Sequence, residues 1–507
     1  MALLDVVTRK WRDLFGGGGP AAGPLLGKPG LKNIEHVVVL MLENRSFDSM
    51  LGRLYPDRAD FDGLTLEESN PGPDGQPVPV NNTPGYDPVA LSNPHADPGE
   101  LYSDINEQVY GTPDPGPDAR PTMSGFVTNF LRQKERHPLL NYDPKSVMHY
   151  YTPDQVPVLS QLARQFAVCD RWFASAPCQT WPNRFFMHTG TANGYENNSP
   201  PYFPYEMPTI FDRFNEKGMA KNWKLYRHDA PQSLSLANVW RYSSRLHAFA
   251  DFVIDAEMGR LPAYSFIEPR YFASLLGGLP NDQHPPHNIT LGEQLIARIY
   301  NALRKGPGWT KTLFIITYDE HGGCYDHVPP PKAVPPDYRD GQKFKFDRYG
   351  VRVPAVIVSP FIAPGTVLRP PDKTPFDHTS VIATLRKRFD LGPPLTARDA
   401  AAPDLESVLT LSKPENLGPA EIKALHFLPK PSDIISLLGA PMNDLQKTLH
   451  DMSEVLPPPD KKVDEHIGSL RTSKGKHVFT DRQTVKEASE QAESVFDKFH
   501  RRDETVG

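Results

Sequence analysis

The sequence predicts an α/β protein whose mostly parallel central sheet is covered by helices on both faces. Short apolar runs typical of buried strands occupy His36–Leu42, Lys311–Tyr318 and Pro354–Ser359. Runs with helical periodicity lie between them, and the clearest, LGEQLIARIYNALRK, stops at Gly306. Because parallel neighbours must be joined by a crossover, strands that alternate with helices favour a parallel sheet.

The remaining elements follow the same alternation along the chain. Val156–Phe166 has the periodicity of a helix, and further strands are predicted at Phe166–Phe173, Trp223–Tyr226 and Tyr264–Glu268. Thr180 is an allowed N-cap for the next helix, which carries a proline in its first turn.

Length and composition indicate the number of domains, the loop content and the class of partner. The 507 residues could form two or three average domains, or one large α/β domain with insertions. The 55 prolines, about twice the average usage, indicate long loops. Residues 53–150 are dense in Pro, Gly, Asp and Asn, which predicts long loop insertions. The formal charge of −6, without a long basic run, argues against a nucleic-acid partner.

Composition divides the chain into three parts. Residues 1–30 hold an amphipathic segment and a Gly-rich linker, residues 31–440 the α/β domain, and residues 441–507 a linker and a helical extension. The first segment is either a docked helix or a membrane-surface anchor. A helix is predicted at Thr480–His500, where Thr480 and Gln483 have capping-box spacing. Its apolar stripe either packs on its own domain or joins a second copy into a homo-oligomer. The stripe comprises Val485, Ala488, Ala492, Val495, Phe496 and Phe499.

The cysteines and the absence of targeting signals bear on location. The chain has three cysteines, Cys169, Cys178 and Cys324. A small, odd number of cysteines does not form a disulfide framework, which favours a reducing compartment. We find no apolar run long enough to span a bilayer and no classical secretory signal. We therefore expect a cytoplasmic protein with peripheral membrane contact at most, and export by a non-classical route stays open.

Polar side chains follow the first strand directly. Glu43 and Asn44 end the run His36–Leu42, and the carboxyl ends of buried strands are where open α/β sheets bind ligands. Carboxylate and amide oxygens suit hard divalent cations. The alternative is a plain polar turn in which Asp48 caps the next helix.

A second pair of ligands repeats this pattern. Asp319 and Glu320 follow the strand Leu313–Tyr318, and neighbouring carboxylates raise one another's pKa unless a cation offsets their charge. Gly322 and Gly323 then let the backbone approach a bound group closely. Two such strand ends together predict a cation site better than either does alone.

Thr180 and several loop histidines complete the candidate chemistry. A hydroxyl at a helix N-terminus lies where backbone N–H groups and the helix dipole collect an anion, although a simple cap is the alternative. Imidazole is the natural general acid for a leaving alkoxide. We expect two or three of the loop histidines to line the pocket, and these are His95, His284, His287, His327 and His378.

The chain resembles the bacterial phospholipase C and acid phosphatase family, which includes plant non-specific phospholipases C. The resemblance spans most of residues 31–390, with its motifs in the family's order. They are EHVVVLMLENRSFD at Glu35–Asp48, CDRWFAS and TWPNRFFMHTGT within Cys169–Thr191, HPPHNITLGEQLI at His284–Ile296, DEHGGCYDHVPPP at Asp319–Pro331 and DHTSVIATL at Asp377–Leu385.

The resemblance implies an alkaline-phosphatase-like fold and a metal-assisted phosphoesterase site. Thr180 matches the family's nucleophile position and would also contact the metal. The other matched ligand positions are Glu43, Asn44, Asp319 and Glu320.

Further roles are expected for residues around the nucleophile. His284 is the expected acid, and His287 and His95 are further catalytic candidates. We expect Asn183 and His378 to bind substrate. His321 departs from the family's usual Asn, which puts hydrogen bonding or metal preference in doubt.

These expectations define a function. The chain would hydrolyse phosphatidylcholine-type phospholipids to diacylglycerol and phosphocholine through a phosphothreonine intermediate. The alternative is an acid phosphatase that acts on small phosphomonoesters, and a third class is a binding protein without turnover. Ligand type suits Mg, Ca or Mn, whereas the resemblance favours Zn.

Overall fold

The structure, a computed structural model, describes residues 30–138, 140–274, 278–337, 344–479 and 484–500. Ten strands occur in this part of the chain. They are β1 His36–Leu42, β2 Ser69–Pro71, β3 Pro77–Pro79, β4 Ala167–Cys169, β5 Trp223–Arg227, β6 Leu246–Ala248, β7 Tyr264–Glu268, β8 Thr312–Tyr318, β9 Ala355–Val358 and β10 Thr366–Leu368.

Eight of these strands form one sheet in the order β10-β4-β9-β8-β1-β7-β5-β6. Strand β1 lies in the middle, parallel to β8 on one side and to β7 on the other. Only β9 runs antiparallel to its neighbours in the described sheet, so the predicted mostly parallel sheet is confirmed. Strands β2 and β3 form a separate antiparallel pair.

Fourteen α-helices accompany the strands in the described residues. They are α1 Phe47–Leu51, α2 Tyr102–Tyr110, α3 Phe126–Arg132, α4 Pro157–Gln165, α5 Thr180–Thr189, α6 Ile210–Glu216, α7 Phe249–Glu257, α8 Ile289–Lys305, α9 Thr379–Phe389, α10 Ala397–Ala401, α11 Pro431–Leu438, α12 Asp444–Glu454, α13 Val463–Ser473 and α14 Val485–His500. None of them is both long and apolar enough to cross a membrane.

One predicted strand is shorter than expected. The run Phe166–Phe173 forms a strand only over β4, and Asp170 lies beyond its end. The Asp170 carboxylate accepts hydrogen bonds from the backbone N–H of Asp62 at 2.9 Å and from Arg369 at 2.7 Å. A buried carboxylate must be paired, and the partners of Asp170 come from loops. At this position loop contacts therefore take the place of the hydrogen bonds between neighbouring strands.

The long insertion at residues 53–150 is more ordered than predicted. We expected loops, but α2 and α3 lie within it and share a small apolar core. That core includes Leu64, Ile105, Val109, Phe126, Phe130 and Met148. The dense Pro and Gly punctuation around these helices hides their short apolar faces from a periodicity search.

The C-terminal helices pack on the chain's own surface. Helix α12 contacts the turns Pro200–Tyr202 and Gln232–Ser235, and α14 lies along α12. Five stripe residues of α14 are at most 3 % exposed, so this chain alone covers the stripe. Association of two copies through α14 is therefore not needed to bury it and stays an untested prediction. Thr480, Gln483 and the predicted helix before residue 30 lie outside the described residues.

An ion-pair network joins the loops that follow β1 and β8. Arg352 donates to Asp48 on α1 at 3.0 Å and to Asp326, seven residues after Asp319, at 2.9 Å. His327 donates its Nδ1 proton to Asp48 at 2.7 Å and approaches Asp62 at 3.1 Å. Burial opposes charge on His327, but its hydrogen bonds to both carboxylates raise its pKa to about 10. The network thus ties together the two strand ends that carry the predicted ligands.

We predict that His327→Gln lowers the free energy of unfolding by about 2 kcal/mol, because it removes charge-assisted hydrogen bonds. The folded pKa is raised, so this stabilisation is fully present below the ordinary pKa of 6.5 and is lost as pH rises through about 10. Urea unfolding at about pH 6 and about pH 10 measures the difference, and exposed His426→Gln is the control. A difference that does not shrink at the higher pH contradicts the assignment.

Candidate active site

The two predicted ligand pairs meet at one point. Strands β1 and β8 pair in register from His36 opposite Thr312 to Leu42 opposite Tyr318, so their carboxyl ends coincide. The backbone N–H of Asn44 donates to Asp319 Oδ1 at 2.9 Å. All four predicted ligands, Glu43, Asn44, Asp319 and Glu320, are fully buried. The structure therefore brings together two segments about 275 residues apart, as the sequence indicated.

The orientation of Asn44 depends on an unusual backbone. Its φ is 51°, in the left-handed region that Asn tolerates better than most residues. The side-chain amide donates to Glu100 at 2.5 Å and to Glu320 at 3.0 Å. Gly322 passes so close that an added Cβ would lie 2.4 Å from the Asn44 carbonyl oxygen. The amide oxygen is thereby left to face Thr180.

Thr180 lies at the centre of the site. Its Oγ1 is 3.4 Å from Asn44 Oδ1 and 3.5 Å from Glu43 Oε2, and the residue is 1 % exposed. The prediction of an N-cap was wrong by one residue: Gln179 is the N-cap, and Thr180 is the first helical residue of α5. Because its hydroxyl does not cap the helix, it is available for chemistry.

The N-terminus of α5 offers fewer donors to an anion than predicted. The N–H of Trp181 donates to Asn198 Oδ1 at 2.9 Å, and Pro182 has no N–H. The helix dipole still favours negative charge beside Thr180. The expected nest of free N–H groups is absent at these two positions.

Asn183 has a structural role beside the substrate contact that we predicted, which stays a prediction. Its side chain accepts from the N–H of Ala176 at 3.0 Å and donates to the carbonyl oxygens of Ala176, Cys178 and Gln179. These bonds use its polar atoms within its own turn. Asn183 therefore shapes the turn that presents Thr180.

His378 is also committed to the protein. Trp172 Nε1 donates to His378 Nδ1 at 3.4 Å, so the ring carries its proton on Nε2. That nitrogen donates to the Asp319 carbonyl oxygen at 2.6 Å. Burial lowers the pKa of His378, which keeps the ring neutral. His378 therefore positions Asp319, and our prediction that it binds substrate stays a prediction.

The other predicted histidines lie at different distances from the centre. His284 is fully buried, and its Nε2 lies 3.4 Å from Glu100 Oε1. Burial lowers the pKa of His284 to about 4, so the ring needs a neighbouring proton source to act as an acid. His287 bonds Asp282 at 2.7 Å. His95 is exposed, and no hydrogen bond or ion pair within the described residues joins its side chain to Glu43, Asn44, Asp319 or Glu320.

Two further acids belong to the site and were missed by sequence reasoning. Asp97 and Glu100 approach His284, and one ligand atom from each of the three lies within 4.8 Å of the others. They come from the loop that carries His95, so the signal was a local cluster of polar residues without a strand before it. This group adjoins the first one through Asn44, which contacts Glu100.

Glu43 has partners that the sequence also did not reveal. Arg184, one turn after Thr180 on α5, forms a short buried ion pair with Glu43. Gln232 donates to the same carboxylate at 2.7 Å. Glu268, at the end of β7, lies 3.8 Å from Arg184. Arg184 is the main positive charge against the carboxylates of the site.

The buried carboxylates of the site have the properties expected of ligands for a divalent cation. Burial raises the pKa of Glu43, Glu100 and Glu320 well above their usual range, with further contributions from neighbouring carboxylates. Asp319 Oδ2 is buried without a hydrogen-bond partner. Clustered buried oxygens with unsatisfied lone pairs are what a bound cation would relieve. Asp97, Glu100 and His284 could hold a cation, because their ligand atoms lie within 4.8 Å of one another. Asn44 joins this group to Asp319 and Glu320, and with Glu43 these residues offer further oxygen ligands beside it.

His321 contacts the predicted ligand Glu320 and the side chain of Gln108. Its Nε2 lies 2.8 Å from Gln108 Oε1, and its Nδ1 lies 3.1 Å from Glu320 Oε2. Burial lowers the pKa of His321 to about 3, so the ring is neutral. The departure from the usual Asn therefore changes the hydrogen bonding of Glu320 and adds no charge.

The family model described as "Phosphoesterase family" matches residues 34–392 and so covers every ligand named above. The chain belongs to the phosphoesterase family. Non-specific phospholipase C3 of Arabidopsis thaliana is 36 % identical over 507 aligned positions, covering 96 % of this chain and 90 % of that protein. Phospholipase C B of Mycobacterium tuberculosis (strain H37Rv) is 29 % identical, covering 78 % and 82 %.

Solved structures give a weaker likeness. A protein in the alkaline phosphatase superfamily from Vibrio parahaemolyticus aligns at 14 % identity and a TM-score of 0.30, covering 49 % of this chain and 64 % of that one. At this TM-score the likeness does not decide the fold, which rests on the strand order of this phosphoesterase.

We predict that divalent cations bind this phosphoesterase and raise its melting temperature, because they offset repulsion among buried carboxylates. Asp319→Asn should weaken binding by at least about tenfold. Calorimetric titration and thermal unfolding of metal-free protein measure both effects. Exposed Asp57→Asn is the matched control. Equal affinity in the two variants would place the cation elsewhere.

A second prediction concerns Asn183. Asn183→Ala should lower the free energy of unfolding by about 2 kcal/mol, because it strands the buried N–H of Ala176 and the nearby carbonyl oxygens. Exposed Asn222→Ala should change it by less than about 0.5 kcal/mol. Urea unfolding compares the two, and equal stability would contradict the structural role of Asn183.

Proposed function

We propose that this phosphoesterase is a phospholipase C that cleaves choline-type phospholipids to diacylglycerol and a phosphorylated headgroup. The observation that carries the proposal is the buried Thr180 hydroxyl, 3.4 Å from Asn44 Oδ1 and 3.5 Å from Glu43 Oε2. A hydroxyl that does not cap a helix and lies beside oxygen ligands for a cation is the arrangement that nucleophilic phosphoryl transfer needs. The relatives named phospholipase C support the choice of a phosphodiester substrate.

The chemistry divides between Thr180 and its surroundings. A bound divalent cation would lower the pKa of the Thr180 hydroxyl and offset charge on the phosphoryl oxygens. The Thr180 oxygen attacks phosphorus and gives its proton to Glu43 Oε2, 3.5 Å away, while the bond from phosphorus to the diacylglycerol oxygen breaks. The phosphothreonine intermediate still carries the choline ester. Water then cleaves the bond between phosphorus and Thr180, which releases phosphocholine and restores the Thr180 hydroxyl. The α5 dipole and buried Arg184 favour the negative charge that accumulates there.

The leaving alcohol must take up a proton. His284 is the candidate relay for this proton. Its Nδ1 proton is held by the Pro285 carbonyl oxygen, so the neutral ring has no proton on Nε2 to give. Glu100, 3.4 Å from that Nε2 and with its pKa raised well above its usual range by burial, is the group that supplies the proton to Nε2. The Nδ1 atom of His284 lies 2.6 Å from the carbonyl oxygen of Pro285, which orients the ring. His287 and Asp282 pack beside it and hold this segment against the N–H of Glu43, which donates to the Asp282 carbonyl oxygen.

The surroundings of His287 favour a lipid over a small phosphomonoester. A cavity of about 170 Å³ borders His287. One wall of it is formed by Leu279, Leu291, Phe427 and Leu437, and the rest of the lining includes three prolines, Asn288 and Asp433. Such a wall suits glycerol and acyl carbons, whereas a small phosphomonoester has no use for it. Hydrolysis of phosphomonoesters is therefore our second candidate activity.

The cation is assigned by chemical class. Glu43, Asn44, Asp319 and Glu320 offer only oxygen, which suits Mg, Ca or Mn, and His284 in the neighbouring group adds a nitrogen that suits Zn. We infer a divalent cation, and elemental analysis of purified protein identifies it.

We predict that Thr180→Ala lowers turnover of a chromogenic phosphocholine ester by at least about a thousandfold, because the nucleophile is lost. Thr180→Ser keeps a hydroxyl and should retain measurable turnover. Thermal unfolding checks that both variants fold. Retained activity in Thr180→Ala would overturn the nucleophile assignment, and a phosphomonoester panel with higher kcat/KM than phospholipid would favour the second activity.

A further inference from the structure

Three arginines line a cavity of about 560 Å³ on the edge of the sheet that carries the active site. Arg227 ends β5, Arg270 follows β7, and Arg298 lies on α8. In parallel sheets the carboxyl ends of the strands form the ligand-binding edge, and this arginine pocket extends that edge. No part of the proposed chemistry uses it.

Two of the arginines are held by aromatic rings. The Arg298 guanidinium lies 5.3 Å from the ring centre of Phe249, and that of Arg227 lies 5.8 Å from the ring centre of Phe496. Neither forms an ion pair with a carboxylate of the described residues. Stacking leaves guanidinium N–H groups free to bind an anion, and phosphate matches their geometry.

The charge around the cavity favours an anion. The described lining contains three arginines and no carboxylate. Asp229 lies behind it, where its Oδ2 accepts from the N–H groups of Tyr271 and Phe272. Asp229 is the strongest balancing charge for both Arg270 and Arg227, and Glu493 and Asp497 on the exposed side of α14 act on them more weakly. They offset part of the positive charge without entering the pocket.

An apolar wall connects the arginine pocket with the active site. Leu279, Leu291 and Phe427 line both this cavity and the smaller one that borders His287. Gln294 on α8 holds the wall by donating to the carbonyl oxygens of Leu425 and Phe427 at 3.1 Å. The wall gives a path for hydrocarbon between an anion site and His287, whose ring centre lies 6.0 Å from that of His284.

Apolar side chains project beside this path. Leu428 is 73 % exposed, and Ile435 on α11 is 64 % exposed. Lys423 precedes them and Lys430 lies between them, and both lysines are exposed, whereas Asp433 in the same segment is half-buried. We call the segment 427–435 the apolar ridge. Exposed aliphatic groups among lysines are what a protein surface needs to enter the headgroup layer of an anionic membrane.

We propose that the arginine pocket and the apolar ridge form a docking surface for a phospholipid membrane. The pocket receives the phosphate of an anionic phospholipid, and the ridge enters the layer beneath the headgroups. The choice of a phospholipid over a soluble phosphate rests on the ridge and on the proposed function. Docking by this face would bring the cavity beside His287 to the membrane surface.

The experiment measures binding with turnover removed. The full chain with Thr180→Ala is sedimented with vesicles of phosphatidylcholine, with and without a minor fraction of phosphatidylglycerol. We expect the anionic lipid to strengthen binding by about tenfold, and Arg298→Ala to remove about fivefold of this gain. Leu428→Asp and Ile435→Asp should weaken binding to both vesicles. Raised salt should remove only the gain due to phosphatidylglycerol.

Matched controls use exposed residues away from this face. Lys305→Ala changes a cation on the same helix as Arg298, and Met258→Asp changes a side chain that is 69 % exposed. Both should bind vesicles as the parent does. Unchanged binding in Arg298→Ala and in both ridge variants would overturn the docking surface. If inorganic phosphate competes with the vesicles for the arginine pocket and the ridge variants bind vesicles normally, the pocket is a site for soluble anions. That result would also overturn the docking surface.

The docking surface and the proposed function can fail separately. In a chain with Thr180 intact, Ile435→Asp should hydrolyse a soluble phosphocholine ester within about twofold of the parent rate, because Ile435 lines neither cavity. If the parent chain does not hydrolyse the soluble phosphocholine ester, the proposed function is overturned, but vesicle binding can still be measured. Normal soluble turnover with unselective vesicle binding overturns only the docking surface.

Discussion

The active site depends on the parallel register of β1 and β8. Pairing of Leu42 with Tyr318 places the next residue of each strand, Glu43 and Asp319, at the same edge of a fully buried sheet. The register cannot slip without turning the ligands away, because a shift of one residue exchanges the two faces of a strand. The apolar contacts of two central strands therefore fix the position of the carboxylates.

This placement has an electrostatic cost that other groups must offset. Arg184 pairs with Glu43, and Asn44 donates to both Glu100 and Glu320. Buried polar groups without partners remain, among them Asp319 Oδ2 and His284 Nε2. A folded protein tolerates such groups where a ligand completes them. The network of Arg352 with Asp48 and Asp326 has its charges paired and belongs to the scaffold.

Sequence reasoning located the strand ends but not their partners. Periodicity and strand-end position sufficed for Glu43 and Asp319, because a buried strand has a local signature. Asp97 and Glu100 lie in a Pro- and Gly-rich loop, and nothing local indicates which loop residues fold back onto a sheet. The protein partners of Asn183 and His378 were not foreseen for a related reason. Both bind backbone atoms, and backbone partners leave no trace in side-chain composition.

The same limit explains why the sequence did not predict the arginine pocket and the docking surface that we propose. Arg227, Arg270 and Arg298 are far apart along the chain, with two strands and a helix between the first two, and no run of basic residues marks them. They converge because β5, β7 and β1 end at one edge of the sheet. The register that assembles the carboxylates thus also gathers the arginines, some distance along the same edge. A single architectural feature can therefore place a cation site for the reaction and an anion site for the substrate's membrane on one face.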